Sequence, residues 1–241
     1  MYFIAIETST AVCSAALLHD AGCVKSFVDF ESQQHARHLP LFVEQLLDEA
    51  RKQDIKIDAV ALSQGPGSYT GLRIGTATAK GLCYGLNVPL IAIDTLQLMA
   101  CSVVSRWSLV VGRSMLELQT SNYKLQTANC KLRPMIDARR MEVYTALYDW
   151  ELNRLTDVEA RVIDESFPVE QPTYLFGDGS AKCKEVIASP NAVFIDDIHP
   201  LASDMGELAV KAYKEQRFAD VAYFDPFYLK EFQATVARSP L

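Results

Sequence analysis

The stretch GPGSYTGLRIG, residues 65–75, is the most informative part of the sequence for the fold. It follows a short apolar run, residues 59–63, that predicts a β-strand, and it leads into a segment with helical spacing. Gly65 and Gly67 permit a sharp turn and a close approach of the backbone to another group, and Ser68 or Thr70 can cap the helix that follows. A strand, a glycine turn and a capped helix start favour an anion or nucleotide cradle. The same pattern also fits a tight connection that binds no ligand.

The pattern around this stretch predicts alternating strands and helices. Strand candidates are residues 2–7, 13–19, 24–30, 59–63 and 88–93, and helix candidates are residues 33–52, 70–84 and 95–104. The helix at 33–52 has its apolar residues on one face. The order β-β-β-α-β-α-β predicts three antiparallel strands followed by helical crossovers to parallel strands. That order matches half of an actin-like, sugar-kinase-like ATPase fold.

The second half of the chain reads as a reduced copy of the first. It begins near Pro134, with strand or hairpin signals at 135–148, 152–163 and 174–176 and helix candidates at 181–187 and 204–216. Between the halves, LQTSNYK (118–124) is echoed by LQTANCK (125–131). This echo indicates a tandem duplication in a tolerant surface loop, or an added contact surface for a partner. The predicted organisation is an N-terminal lobe, 1–104, an atypical inter-lobe loop, 105–133, and a C-terminal lobe, 134–241.

Composition excludes several classes of protein. The net charge of −7 disfavours a direct nucleic-acid binder, because such proteins carry a basic face. No apolar run reaches the roughly 18 residues that a membrane span needs, and the N-terminus lacks the features of a signal peptide. The six cysteines show no CxxC spacing, so neither a zinc knuckle nor a redox pair is indicated. We therefore expect a cytoplasmic protein that does not associate with membranes.

Three motifs carry a resemblance to a known family. They are GPGSYTGLRIG (65–75), IAIETST (4–10) and MIDARRMEVY (135–144). Together they resemble the TsaB family, also called YeaZ, whose members are accessory subunits of bacterial tRNA threonylcarbamoyladenosine synthesis and were once labelled glycoproteases. The resemblance covers most of the chain except about residues 104–132. It implies an α/β, actin-like and sugar-kinase-like (ASKHA) fold with two lobes, of which the second is reduced.

The resemblance also implies where a nucleotide would lie. In this fold the turn after the first strand faces a phosphate or its metal. The family usually has aspartate at position 7, where this chain has glutamate, which reaches one methylene further. The candidate nucleotide-binding residues are Glu7, Thr8, Ser9, Gly65, Gly67, Ser68, Gly177, Asp178, Gly179 and Ser180. No cofactor is required by this interpretation, but ATP or ADP with a divalent cation is expected to bind at the partner interface.

The catalytic relatives of this family differ at one informative place. They carry two histidines four residues apart, just after the equivalent of residues 89–93, and that spacing puts both imidazoles on one helix face. Here the two positions are Thr95 and Met99, and neither supplies a nitrogen ligand. No HExxH motif or nucleophilic triad is recognisable either. We therefore predict no catalytic residues and no metal site.

The helix at 70–84 predicts a contact surface. Gly71, Gly75 and Ala79 recur every four residues, although each glycine inside a helix costs about 1 kcal/mol relative to alanine. A groove of small residues lets a second helix approach closely. We expect that helix to be 33–52, and the resemblance implies that the outward faces of both dock on the catalytic paralogue or on a second copy of the chain. The candidate interface residues are Leu39, Phe42, Val43, Leu46, Gly71, Arg73, Ile74, Gly75, Thr78, Ala79 and Leu82.

The leading interpretation is a non-catalytic scaffold subunit of the complex that forms threonylcarbamoyladenosine in tRNA. It would bind a TsaD-like catalytic transferase, be joined by a small TsaE-like ATPase, form a helix-mediated homodimer in the absence of the transferase, and not bind tRNA directly. The alternative is an independent small-molecule kinase or ATPase of the same fold. A third interpretation is a homodimeric binding module outside any enzymatic complex.

Overall fold

The computed structural model describes residues 1–31, 34–113 and 130–230. The strands in these ranges are β1 (Tyr2–Glu7), β2 (Cys13–His19), β3 (Gly22–Asp29), β4 (Ala59–Gly65), β5 (Leu90–Asp94), β6 (Lys131–Asp137), β7 (Glu142–Thr145), β8 (Glu159–Val162), β9 (Thr173–Phe176) and β10 (Ala192–Ile195). The α-helices are α1 (His35–Lys52), α2 (Tyr69–Leu86), α3 (Thr95–Arg113) and α4 (Gly206–Lys214). No helix in the described ranges combines the length and hydrophobicity of a membrane span.

The first sheet has the strand order β3-β2-β1-β4-β5. Strands β1, β2 and β3 pair antiparallel, whereas β1, β4 and β5 pair parallel, as the sequence predicts. Ile4 and Ile6 pack in a core cluster with α1 and α2, while Phe3 and Ala5 pack in a second cluster with α3 and α4. Because β1 is covered on both faces, its sequence is a continuous apolar run rather than an alternating one.

The second sheet repeats the topology of the first. Its order is β8-β7-β6-β9-β10, with antiparallel pairing among the first three strands and parallel pairing of β6, β9 and β10. Gly65 ends β4 with a φ of 109°, and Gly177 follows the equivalent strand β9 with a φ of 107°. The two sheets confirm the actin-like, sugar-kinase-like fold with a reduced second lobe.

The inter-lobe segment differs from its prediction at both ends. Helix α3 continues to Arg113 because no proline or glycine interrupts it before Gly112, and β6 already begins at Lys131. The duplicated segment, residues 118–131, lies outside the described residues except for its last two positions. The three-part division of the chain stays a prediction.

The C-terminal part of the chain also departs from the predicted elements. Only a short 3₁₀ turn, Ala181–Cys183, forms where a helix over 181–187 was expected, since a single turn gains too few hydrogen bonds to offset nucleation. Helix α4 packs on the first sheet, with Ala209 and Ala212 beside Phe3. Residues of the predicted C-terminal lobe therefore help to form the core of the first lobe.

Candidate functional site

The turn after β1 is completely buried. Glu7, Thr8 and Ser9 have no solvent-exposed surface. The backbone N–H of Ser9 donates a 2.5 Å hydrogen bond to Glu7 Oε1, and the Thr8 hydroxyl donates to the carbonyl of Gly71 at 2.8 Å. The N–H of Ser68 donates to the Ser9 carbonyl at 2.6 Å. The turn is thus closed by the start of helix α2.

The glycines of the 65–75 stretch permit this closure. A Cβ atom at Gly67 would lie 2.2 Å from the Ser9 carbonyl oxygen, and one at Gly71 would lie 2.0 Å from that of Thr8. A Cβ at Gly75 would lie 2.3 Å from the Thr8 hydroxyl. The close approach therefore joins α2 to the β1–β2 turn. This corrects the prediction that Gly71 and Gly75 form a groove for α1.

Glu7 is a buried acid among uncharged partners. Its Oε2 atom and the hydroxyls of Ser9 and Ser63 make no hydrogen bond of good geometry within the described residues. Burial raises the pKa of the Glu7 carboxyl, an effect that the nearby Ser9 and Ser63 groups only partly offset. A group without solvent access and without a neighbouring cation favours its neutral form.

The candidate nucleotide-binding residues fall into separate places. Glu7, Thr8, Ser9, Gly67 and Ser68 form the closed turn just described. The N–H groups of Ser9 and Ser68 are already paired and Glu7 to Ser9 are buried, so the first turn does not present them to a phosphate, whereas Ser68 at the start of α2 is exposed. A nucleotide at these residues stays a prediction. We derive no step through a nucleotide there.

Gly65 and the second-lobe turn have other neighbours. A Cβ at Gly65 would lie 2.6 Å from the carbonyl oxygen of Phe227. At the second turn, the N–H of Gly179 donates to the Met135 carbonyl at 3.0 Å, and the Ser180 hydroxyl donates to the Gly177 carbonyl at 2.7 Å. Asp178 is exposed and accepts a 3.0 Å hydrogen bond from the backbone of the β6–β7 turn. Asp178 thus leaves this turn partly open to solvent.

Two histidines near the start of α1 contact the first lobe, one of them buried and the other half-buried. His35 is buried, and its Nε2 lies 3.0 Å from the Thr10 carbonyl oxygen. His38 Nδ1 lies 2.5 Å from Asp29 Oδ2 at the end of β3. Both rings tie α1 to the first sheet. The spacing His-x-x-His gave no signal of this role, because the two partners lie far away in sequence.

Asp94, which the sequence analysis did not select, joins the two lobes. It ends β5 and accepts a 2.9 Å hydrogen bond from the backbone of Gln97 at the start of α3. From the second lobe, the Tyr148 hydroxyl lies 3.3 Å from Asp94 Oδ1 and Arg154 lies 3.7 Å from Oδ2. Burial nevertheless raises the pKa of Asp94. The sequence did contain a signal for this role, because an aspartate three residues before a glutamine, here Asp94 and Gln97, is typical of the first turn of a capped helix.

The two positions that the resemblance matches to the histidines of the catalytic relatives are filled by buried side chains. Thr95 and Met99 are both fully buried. Met99 packs in the core between α3 and the second sheet, and its methyl group would lie 2.4 Å from a Cβ at Gly177. These two side chains therefore fill the joint between the lobes.

The predicted partner surface divides into buried and accessible residues. Six of the candidates are buried within their own chain: Leu39, Val43, Leu46, Gly71, Gly75 and Ala79. Their apolar side chains fill the core under α1 and α2, and the two glycines contact Thr8, so none of the six can meet a partner. Phe42, Ile74, Thr78 and Leu82 are half-buried, and Arg73 is exposed. Any partner surface here must use the second group.

A better-exposed ridge lies on the outer face of α2. A Cβ atom at Gly81 or Gly85 would meet nothing within 4 Å. Tyr84 between them is 88% exposed, and Leu41 on α1 is 49% exposed. An open groove of about 590 Å³ runs between the helices, lined by residues that include Leu41, Thr78, Gly81 and Leu82. We call this surface the α2 ridge; it consists of Gly81, Tyr84 and Gly85 on α2 together with Leu41 on the neighbouring helix α1.

Comparison with known protein families places this geometry in context. The model of one family, described as TsaD: tRNA N6-adenosine threonylcarbamoyltransferase, matches residues 29–236. The chain is 28% identical over 241 residues to the tRNA threonylcarbamoyladenosine biosynthesis protein TsaB of Escherichia coli (strain K12), with 95% of each protein covered. It is 26% identical over 246 residues to the TsaB protein of Bacillus subtilis (strain 168), covering 97% of this chain and 96% of that relative.

A solved structure shows the same similarity in three dimensions. YeaZ from Pseudomonas aeruginosa superimposes with a TM-score of 0.73 at 26% sequence identity. The match covers 95% of this chain and 99% of that chain. Both lobes are therefore shared with it.

Proposed function

The chain belongs to the TsaD-type transferase family, and within it to the TsaB (YeaZ) proteins, and from this premise we propose that it is a non-catalytic scaffold subunit in the formation of threonylcarbamoyladenosine in tRNA. It acts in the cytoplasm and binds a TsaD-like catalytic transferase through the accessible faces of α1 and α2. A small TsaE-like ATPase joins this pair. Without the transferase, the same faces form a homodimer.

The observation that carries this proposal is the α2 ridge. Gly81 and Gly85 weaken an exposed helix, and no described residue lies close enough to either position to require a glycine there. Tyr84 stands between them almost fully exposed, and tyrosine is enriched in protein interfaces. A partner helix that packs closely on the two glycines would explain both features.

A second observation supports the non-catalytic role. Thr95 and Met99 stand where the catalytic relatives carry their histidine pair, and both are packed into the core. On this packing of Thr95 and Met99, we propose that the partner subunit performs the transfer step. Binding of ATP or ADP with a divalent cation at the partner interface stays a prediction.

The test of the proposed function is a reconstitution. The cognate TsaD-like transferase, the TsaE-like ATPase, threonylcarbamoyl-adenylate and tRNA are combined with and without this chain, and modified adenosine is measured by mass spectrometry. We expect modification to require the chain. Equal modification without it would refute the scaffold role and direct attention to a small-molecule kinase of the same fold.

Alanine at the ridge glycines is expected to separate stability from binding. The Gly81→Ala/Gly85→Ala double variant should stabilise the free chain by about 1–2 kcal/mol, because each alanine is the better helix former. It should also weaken binding of the transferase by about tenfold, since two methyl groups would then separate the helices. Denaturant unfolding and titration calorimetry measure the two effects.

A matched control is Lys211→Ala on α4, an exposed helical position away from the ridge. Its binding should equal that of the parent chain. If the double glycine variant is stabilised and still binds normally, the docking surface is not the α2 ridge.

A further inference from the structure

The tip of the β6–β7 hairpin carries an unusual pair of arginines. Arg139 and Arg140 have φ angles of 70° and 51°, and they are the only consecutive non-glycine residues with positive φ in the described ranges. Asparagine, aspartate and glycine fit such positions at lower cost than a long side chain does. Backbone strain of this kind clusters at binding sites, active sites and switch regions.

The acidic groups around the tip already have partners. Asp137 is paired with Lys182, which also donates to the Glu142 carbonyl at 2.7 Å. The carboxylate of Glu142 is paired with Lys230. These lysines come from other parts of the chain and neutralise the hairpin's own acids. Asp178 accepts only a backbone hydrogen bond and has no ion pair within the described residues. The two arginines and two lysines thus face three carboxylates, which leaves one net positive charge at the tip.

The two guanidinium groups are free to bind an anion. Both arginines are exposed. Within the part of the chain that the structure describes, the only hydrogen bond of their side chains or amides is that of the Arg139 N–H to Asp137 Oδ1, at 2.9 Å. Asp178, the other nearby acid, accepts its hydrogen bond from the backbone of Asp137.

The repeated topology explains why this turn is open. In the first lobe, the equivalent β1–β2 turn is covered by α2, which packs its glycines on Thr8 and Ser9. In the second lobe, the strand equivalent to β4 is followed only by the short 3₁₀ turn Ala181–Cys183. No long helix in the described part of that lobe takes the place of α2. The same hairpin is thus buried in one lobe, and exposed and cationic in the other.

We propose that Arg139 and Arg140 bind backbone phosphates of the tRNA once the chain is docked in its complex. This inference rests on the proposed function, which supplies a tRNA substrate, and it revises the expectation that the chain makes no direct contact with tRNA. Guanidinium groups match phosphate oxygens in geometry and charge, and keep that charge at any physiological pH. The net charge of −7 opposes binding by the free chain, so the contact forms only after the transferase has brought the tRNA close.

The experiment compares assembled complexes that contain the parent chain or the Arg139→Asn/Arg140→Asn variant. Asparagine accepts the backbone conformation, so the fold and the assembly of the complex should be unchanged. We expect the Kd for tRNA to rise about tenfold at low salt. The slope of log K against log salt should become shallower by about one for each arginine. Fluorescence anisotropy with labelled tRNA measures both quantities.

Two controls keep the outcomes separate. The Arg139→Lys/Arg140→Lys variant retains the charge and should keep most of the salt slope. Lys56→Ala removes an exposed charge before β4 and should change neither the Kd for tRNA nor the salt slope. Unchanged tRNA binding by the asparagine variant would overturn the proposal. Loss of complex assembly, seen by size-exclusion chromatography, would also overturn it, because the tip would then contact protein. If the scaffold role itself were wrong, the reconstitution would already show it, because adenosine would be modified without the parent chain.

Discussion

Replacing Gly71 with alanine is expected to destabilise the protein by about 2–3 kcal/mol, although alanine is the better helix former. The new Cβ would lie 2.0 Å from the carbonyl oxygen of Thr8, a distance that no non-bonded carbon tolerates. Thr8 is fully buried, and its hydroxyl is bound to the Gly71 carbonyl, so the turn cannot move aside without losing that hydrogen bond. Denaturant unfolding with matched slopes measures the change in the free energy of unfolding.

The same helix offers a matched control for this substitution. Gly81→Ala adds the same methyl group where a Cβ meets nothing within 4 Å, and it should raise the free energy of unfolding by about 0.5–1 kcal/mol. The two variants should therefore change stability in opposite directions. If both stabilise the chain, α2 does not pack on the β1–β2 turn as described.

Replacing Glu7 with glutamine is expected to stabilise the protein increasingly as the pH rises. Burial raises the pKa of Glu7 above its ordinary value of 4.5, so the folded state holds the proton more tightly than the unfolded state. The stability of the parent chain must then fall between about pH 4.5 and the folded pKa, and level off above it. Each unit of difference corresponds to about 1.4 kcal/mol. Glutamine has no charge to desolvate and still offers an oxygen to the Ser9 N–H.

The measurement is the free energy of unfolding from pH 4 to pH 8. We expect the glutamine variant to gain little at pH 4 and most near neutral pH. Glu165→Gln, at an exposed position, serves as the control and should leave the pH dependence of the parent chain unchanged. An advantage of Glu7→Gln that is constant with pH would mean that the carboxyl does not change its protonation in this range.

These two predictions concern one structural unit. The β1–β2 turn and the start of α2 resemble an anion cradle in sequence, but each fills the other in the folded chain. Gly67 and Gly71 bring the start of α2 against the β1–β2 turn, and Glu7 in that turn has no cation beside it among the described residues. We therefore look for function on the outer surfaces, at the α2 ridge and at the arginine tip of the second lobe.

The first lobe could be predicted closely from local patterns. Strands β1 and β2 begin and end as the apolar runs indicate, and α1 and α2 start within two residues of their predicted positions. These signals are strong because the amphipathic period, the glycine turn and the helix cap all indicate the same boundaries. Strand β10 and the shortened segment after Gly179 were missed, because short elements are held by their neighbours rather than by their own periodicity.

The candidate site was less predictable because side-chain roles depend on distant partners. The residues of the first turn and of GPGSYTGLRIG were correctly placed together, yet their burial could not be read from residue type. His38 and Asp29, or Asp94 and Tyr148, meet across nine and 54 residues of sequence. No local pattern specifies such pairs.

The sequence by itself determined the order of strands and helices in the first lobe, the turn glycines and the family motifs, since these depend on near neighbours in the chain. Only the tertiary structure decided which groups are accessible. Packing of α2 on β1 buried the acid and the hydroxyls of Glu7 to Ser9, while the absence of an equivalent helix left Arg139 and Arg140 in solvent. Burial is a property of the layers that cover a residue, and those layers are assembled from segments far apart in the chain.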